Sequence, residues 1–333
     1  MEGYFYIYIE QELKNGRVPQ KKGWKKMNKN FSPEGDLLDT FRIKKAISSL
    51  NALEEAAASG EILEAYAVNC DVAHNLTVNL GGIKGIIPRD EGAIGIKEGT
   101  VRDIALISRV GKPVSFICDG FAKDKDGNRV AILSRRKAQE RCLNEYISSL
   151  LPGDIVSARV THLENFGAFC DIGCGLVALL PIDTISVSRI SHPSDRFRPG
   201  DSIKAVVKSV IDGKITLSMK ELLGTWEQNA EKFSQGETVS GIVRSVEDYG
   251  IFVELAPNLA GLAESKKGVT VGEMTSVYIK SILPEKMKVK LIIIDSFAPS
   301  TAPLPIEYFL SGSHIDYWKY SPDSCIREVF SEF

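Results

Sequence analysis

The chain has 333 residues, 44% hydrophobic and 25% charged, with 41 Lys and Arg against 43 Asp and Glu. That length suggests two or three domains, and a net charge of −2 argues against a binder that relies on phosphate neutralisation alone, leaving stacking plus local basic patches. No run of about 18 apolar residues occurs, so no membrane span and no membrane partner are expected.

Residues 1–26 open on Tyr4-Phe5-Tyr6-Ile7-Tyr8-Ile9, too short for a span and without a signal-peptide cleavage pattern. They end on the basic run Lys21-Lys22-Gly23-Trp24-Lys25-Lys26. That run suits an arm touching nucleic acid; the plainer expectation is a translated leader ahead of a start at Met27. Residues 30–39 read as loop, broken by Pro33 and Gly35. Residues 40–59 read as one helix, with Ile43, Ile47, Leu50 and Leu53 on one face and Gly60 closing it. Together 1–59 make a basic leader plus helix.

From 60 to 137, strand patterns fall at 63–70, 76–80, 83–88, 113–119 and 130–134. Five short strands with a longer insertion suggest an OB-type barrel. Asp124-Lys125-Asp126-Gly127-Asn128 is its last hairpin turn. The same run has the acidic spacing of a calcium loop, but Arg135 stands at the twelfth position, where such a loop needs Glu. Residues 138–150 read as a helical connector, with Leu143, Ile147 and Leu150 spaced to pack on a neighbour.

The second unit, 152–221, is the most informative. Gly153-Asp154 punctuates its start. Ile155, Ser157, Arg159 and Thr161 then alternate with Val156, Ala158 and Val160, as in a half-buried strand. Phe166-Gly167-Ala168-Phe169 follows. Residues three apart on a regular strand point to opposite faces, but a Gly between them permits a bulge that brings both rings to one face. Two rings side by side on a barrel wall make a stacking platform for bases; the alternative is that they fill a core. The polar loop 186–196 carries Arg189, His192 and Arg196. Phe197-Arg198-Pro199-Gly200-Asp201 announces a fourth strand at 203–210, Asp212-Gly213 is a hairpin turn, and Lys214-Ile215-Thr216-Leu217-Ser218-Met219-Lys220 closes the unit.

After a second connector at 222–233, the unit 236–297 repeats this plan. Gly236, Tyr249 and Phe252 each stand 83 positions after Gly153, Phe166 and Phe169. Three equal offsets without a gap mark a true repeat. Gly60-Glu61-Ile62-Leu63-Glu64-Ala65 opens a more divergent copy. There Ala73-His74-Asn75-Leu76 replaces the aromatics and leaves His74 to stack on a base. Lys286-Met287-Lys288-Val289-Lys290 alternates basic and apolar, which predicts three Lys on one strand face. Pro299, Pro303 and Pro305 make an extended linker. The segment 298–333 is acidic and aromatic, with Tyr308, Phe309, Tyr317, Trp318, Tyr320 and Phe330, and is expected to dock on the third unit or present an interface.

Six cysteines without a Cys-x-x-Cys and four scattered histidines give no zinc pattern. Cys70 and Cys170 are expected as buried thiols in strands, in a reducing cytoplasm. No clustered carboxylates and no nucleophile with its base point to catalysis, so no enzyme and no cofactor or metal are expected.

The Gly153-Asp154 opening, the Phe166-Gly167-Ala168-Phe169 pair, the Phe197 to Asp201 turn and the Lys214 to Lys220 close resemble the S1 RNA-binding domain family, over about residues 60–295. The three-repeat layout is similar to short ribosomal-protein-S1-like proteins of Gram-positive bacteria. The resemblance implies an all-β fold: three tandem S1-type OB-fold barrels joined by short helical connectors. It also implies an RNA face made of two aromatics, a His after the third strand, and an acidic and a basic residue in the last hairpin. These fall on Phe166, Phe169, Asp212 and Lys214, and on Tyr249, Phe252, Glu285 and Lys288. The His position departs from the pattern, being Pro181 in one unit and Glu264 in the other, with His192 the candidate replacement in space. The expected function is non-catalytic binding of single-stranded RNA, mRNA included, in translation with the small ribosomal subunit. Two alternatives stay open: an RNA-holding accessory of an RNA-processing complex, and an interaction scaffold that has lost RNA binding.

Overall fold

In the computed structural model, residues 31–211, 213–298 and 305–333 are described. The expectations for residues 1–26, Asp212, Pro299 and Pro303 lie outside them.

Alternation between inward apolar and outward polar side chains sets the strands. Barrel one consists of β1 (Ile62–Cys70), β2 (Leu76–Leu80), β3 (Ile83–Ile87), β4 (Pro113–Lys123) and β5 (Arg129–Ser134). Barrel two consists of β6 (Ile155–Glu164), β7 (Gly167–Gly173), β8 (Leu176–Pro181), β9 (Ser202–Ile211) and β10 (Lys214–Ser218). Barrel three consists of β11 (Thr238–Glu247), β12 (Gly250–Ala256), β13 (Leu259–Ala263), β14 (Met274–Leu283) and β15 (Lys288–Phe297). All three close with the same neighbours, first strand to second to third to fifth to fourth. The third and fifth strands pair in parallel and the rest antiparallel. This is the five-stranded OB topology, as the sequence predicts.

Local chemistry explains most departures. The helix expected over 40–59 is two helices, Phe41–Ala46 and Leu50–Ser59. Ser49 ends the continuity: its side chain accepts the Ala52 N–H and caps the second helix. Ile43 and Leu53 still reach one core, that of barrel one. Lys286 lies in a 3-10 turn and Met287 adopts a left-handed conformation (φ 48), so of the three lysines Lys288 and Lys290 alone stand on β15, both exposed. Cys170 is buried, whereas Cys70 is only half-buried at the end of its strand.

Two buried ionic clusters fix the barrels to one another. Between barrels one and two, Arg135 donates from Nε and Nη2 to the two carboxylate oxygens of Glu34, at 2.7 and 3.0 Å. Arg109 reaches the same carboxylate at 3.4 Å, and the Glu34 N–H donates to Asp171 Oδ2 at 2.7 Å. The helix Arg135–Glu145 also lends Ala138 and Cys142 to the core of barrel two. Between barrels two and three, Arg196 faces Glu254 at 2.7 Å with both side chains fully buried. Arg244 joins Glu254 to Asp195.

The C-terminal segment straps the last two barrels. Tyr308 packs on barrel two, and Trp318 and Tyr320 enter the core of barrel three. Ile155 and Ile315 donate their N–H to Ser313 and Gly153 carbonyls, both at 2.9 Å, zipping the strap to the start of β6. Gly153 (φ +89) is required there, because a Cβ would lie 2.2 Å from the Ile315 carbonyl oxygen. Two short strands, β16 (Tyr317–Lys319) and β17 (Phe330–Glu332), finish the segment. Among the described residues, no helix is long and apolar enough to cross a membrane.

Candidate nucleic-acid interface

Phe166 sits in the two-residue turn between β6 and β7, and Phe169 points outward from β7. Their ring centroids are 5.9 Å apart and their planes nearly perpendicular, at 88°. Tyr249 and Phe252 repeat this in barrel three, at 6.1 Å and 86°. Phe166 is 45% exposed and Tyr249 70% exposed, so these rings do not fill a core. Each pair forms a step with two faces rather than one flat plate.

The glycine within each pair does not form the expected bulge. The bulge lies across the hairpin in β6, between Val160 and His162, where Thr161 donates to the Phe169 carbonyl. Gly167 serves a close approach instead: a Cβ would sit 2.5 Å from the Leu180 carbonyl oxygen of β8. Gly250 plays the same part, 2.6 Å from the Ala263 carbonyl oxygen.

Cross-strand register extends each step into a row, since directly paired residues share a face. In barrel two the row runs His162, Phe169, Leu179, Thr216. In barrel three it runs Ser245, Phe252, Leu262, Lys290. Lys214 is exposed two residues from Thr216, on the same face of β10. Its hairpin partner Asp212 lies outside the described residues. Lys288 is likewise exposed, two residues before Lys290. Glu264 is exposed and 3.5 Å from Lys280.

His162 is the residue that sequence reading missed. Strict alternation turns it inward with Val156, Ala158 and Val160, yet it is exposed, with Nε2 2.7 Å from Glu164 Oε1. A histidine at an apolar parity was the available sign of a bulge.

Arg196 is a correction. Its side chain has no exposure and serves as the counter-ion of Glu254, so it cannot meet RNA. The whole loop 186–196 docks on barrel three: Val187 N–H donates to Asn258 Oδ1 at 2.9 Å and Ser188 N–H to the Pro257 carbonyl. Within that loop Arg189 stays exposed, and His192 Nδ1 accepts the Ser194 N–H at 3.1 Å, capping a short turn. In barrel one, His74 occupies the turn after β1 with φ 62, its Nδ1 3.4 Å from Asp103, which also binds Arg89 Nε at 2.7 Å. It stands alone where the other barrels carry two rings. Among the described residues, no group of three or more His, Cys, Asp and Glu is placed to hold a metal ion.

Residues 150–220 match the family model described as S1 RNA binding domain. The chain is 31% identical over 196 residues to the small ribosomal subunit protein bS1 homolog of Bacillus subtilis, covering 56% of this chain and 49% of that one. It is 33% identical over 204 residues to the Bacillus cereus bS1 homolog, covering 59% and 50%. A solved multidomain protein with nucleic acid binding domains, from Streptococcus pneumoniae, overlaps 71% of this chain and 74% of that one, at 13% identity and a TM-score of 0.24. The chain thus spans about half the length of the curated relatives it matches. The stretch similar to the S1 RNA-binding domain family, residues 150–220, is the one that forms barrel two.

Proposed function

We propose that the chain binds single-stranded RNA, mRNA included, on the outer faces of barrels two and three, and acts in translation with the small ribosomal subunit, in the cytoplasm and without catalysis. The observation that carries this is the pair of matched perpendicular aromatic steps, each with one exposed and one half-buried ring, at equivalent positions of two barrels. Bases stack on Phe166, Phe169, Tyr249 and Phe252, each stack contributing about 1–3 kcal/mol. Lys214, Lys288 and Lys290 meet phosphates, and Asp212 and His162 border the strand. Barrel two contributes most of the affinity. In barrel three Glu264 opposes phosphate and engages Lys280, and barrel one has no ring pair. Two modest sites on one chain raise each other's occupancy through effective concentration.

The test is fluorescence anisotropy with single-stranded RNA at several salt concentrations, paired with co-sedimentation on small ribosomal subunits. Three lysine–phosphate contacts give a slope of log K on log salt of about −2. RNA binding without ribosome association removes the translational part of the reading. Absence of RNA binding at low salt removes all of it and favours the scaffold alternative.

A further inference from the structure

The row through Phe169 does not end in open solvent. A cavity of about 340 Å³ lies between barrels one and two, and its floor is the outer face of barrel two: Phe169, Val177, Leu179 and Thr216. Its wall comes from the long insertion of barrel one, with Ile94, Val101 and Ala105, and from Leu143 of the connector. Phe169 therefore belongs to both the aromatic step and the cavity. Three cations also line it: the exposed Lys214, the partly exposed Arg109 and the buried Arg135. Arg109 and Arg135 both hold Glu34, which ties the wall to the buried cluster and keeps the cavity preformed.

We infer that this cavity is a seat for one base of the bound single strand, next to the base stacked on Phe169. The inference rests on the RNA-binding reading above. The volume is near the lower end of small-molecule sites, roughly 300–1,000 Å³, which suits one nucleobase with its sugar at the mouth. The lining is mainly apolar, matching the faces of a base, and the exposed Lys214 at its edge matches the phosphate that follows it. The polar side chains in the wall are already engaged. Thr100 Oγ1 donates to the Gly95 carbonyl at 3.1 Å, and the Gln139 amide bonds the Ile94 N–H and the Cys174 carbonyl at 3.0 and 3.2 Å. The seat therefore reads shape and not base-edge pattern, and it accepts any base.

The experiment uses the full chain and labelled single-stranded RNAs of increasing length, each with one abasic site moved along it. For wild type, one abasic position beside the stacked base weakens binding roughly 5- to 150-fold, the span for losing one stacked base. Exchanging the base at that position changes affinity less than about threefold. Ala105→Trp fills the cavity from its barrel-one wall and leaves Phe166, which does not line it, in place. It reproduces the abasic loss on long RNAs, makes the abasic site harmless, and leaves binding of RNAs too short to reach the cavity unchanged. The inference is overturned if no abasic position beyond the stacked bases matters in wild type, or if folded Ala105→Trp binds long RNAs as wild type does. The abasic scan stands even if that variant fails to fold. If wild type binds no RNA at all, the reading beneath the inference fails, and the seat with it.

Discussion

Removing the step of barrel two, Phe166→Ala with Phe169→Ala, gives the sharpest prediction. Two stacks at about 1–3 kcal/mol each would sum to as much as 6. The rings touch edge to face at 5.9 Å, however, so one base contacts both, and the losses do not add. We expect about 2–4 kcal/mol, a rise in Kd of roughly 30- to 1,000-fold. The fold survives this. Phe166 is nearly half exposed and sits in a turn, so its truncation costs about 1–2 kcal/mol at 25 cal/mol per Å² of buried ring, and the half-buried Phe169 adds about 2 kcal/mol, against the 5–15 kcal/mol of a typical domain. Anisotropy gives Kd, and circular dichroism melts confirm folding. The matching change in barrel three, Tyr249→Ala with Phe252→Ala, weakens binding less, because the stronger site remains. If the barrel-two variant is folded and binds like wild type, its rings are idle and stacking is not the mechanism.

Arg196→Ala leaves the buried Glu254 with Arg244 alone and destabilises by about 3–5 kcal/mol. Denaturant midpoints read this, while short-RNA affinity stays constant; the reverse pattern would make Arg196 an RNA contact after all. Gly167→Ala drives a Cβ against the Leu180 carbonyl and costs about 1–3 kcal/mol, with weaker RNA binding as the turn carrying Phe166 shifts; an unchanged melting temperature contradicts the close-approach argument. Burial pushes the Glu64 carboxyl from 4.5 up to about 7, even though it accepts the Gly35 and Leu37 N–H groups. The folded state thus holds this proton more tightly than the unfolded chain. Its contribution is complete below about pH 4.5 and is lost as the pH rises to about 7, an effect on the order of 3 kcal/mol. Glu64→Gln should remove that slope, so parallel pH profiles for the two proteins would refute it. Glu264→Gln strengthens RNA binding slightly at low salt and not at high salt, since the repulsion is screened; a gain independent of salt would place its effect elsewhere.

The barrels were legible in the sequence because their determinants are local. Period-two burial, such as Val156, Ala158 and Val160 against Ser157, needs only the pleat of a strand. The equal spacing of Phe166 to Tyr249 and Phe169 to Phe252 needs only the repeat. Whether the aromatic pairs stand outside did not follow, since the same residues suit a platform or a core, and the bulge expected at the glycine lies in β6 instead. The rest depended on partners distant in the chain. An arginine in a polar loop reads alike whether it faces phosphate or carboxylate; only the docking of loop 186–196 on barrel three made Glu254 the partner of Arg196. One extra residue in β6 turned His162 outward, and that bulge is set by how β7 pairs. The cavity beside Phe169 has its floor in one barrel and its wall in another, held together by Glu34 and Arg135, so it exists only once the two have packed.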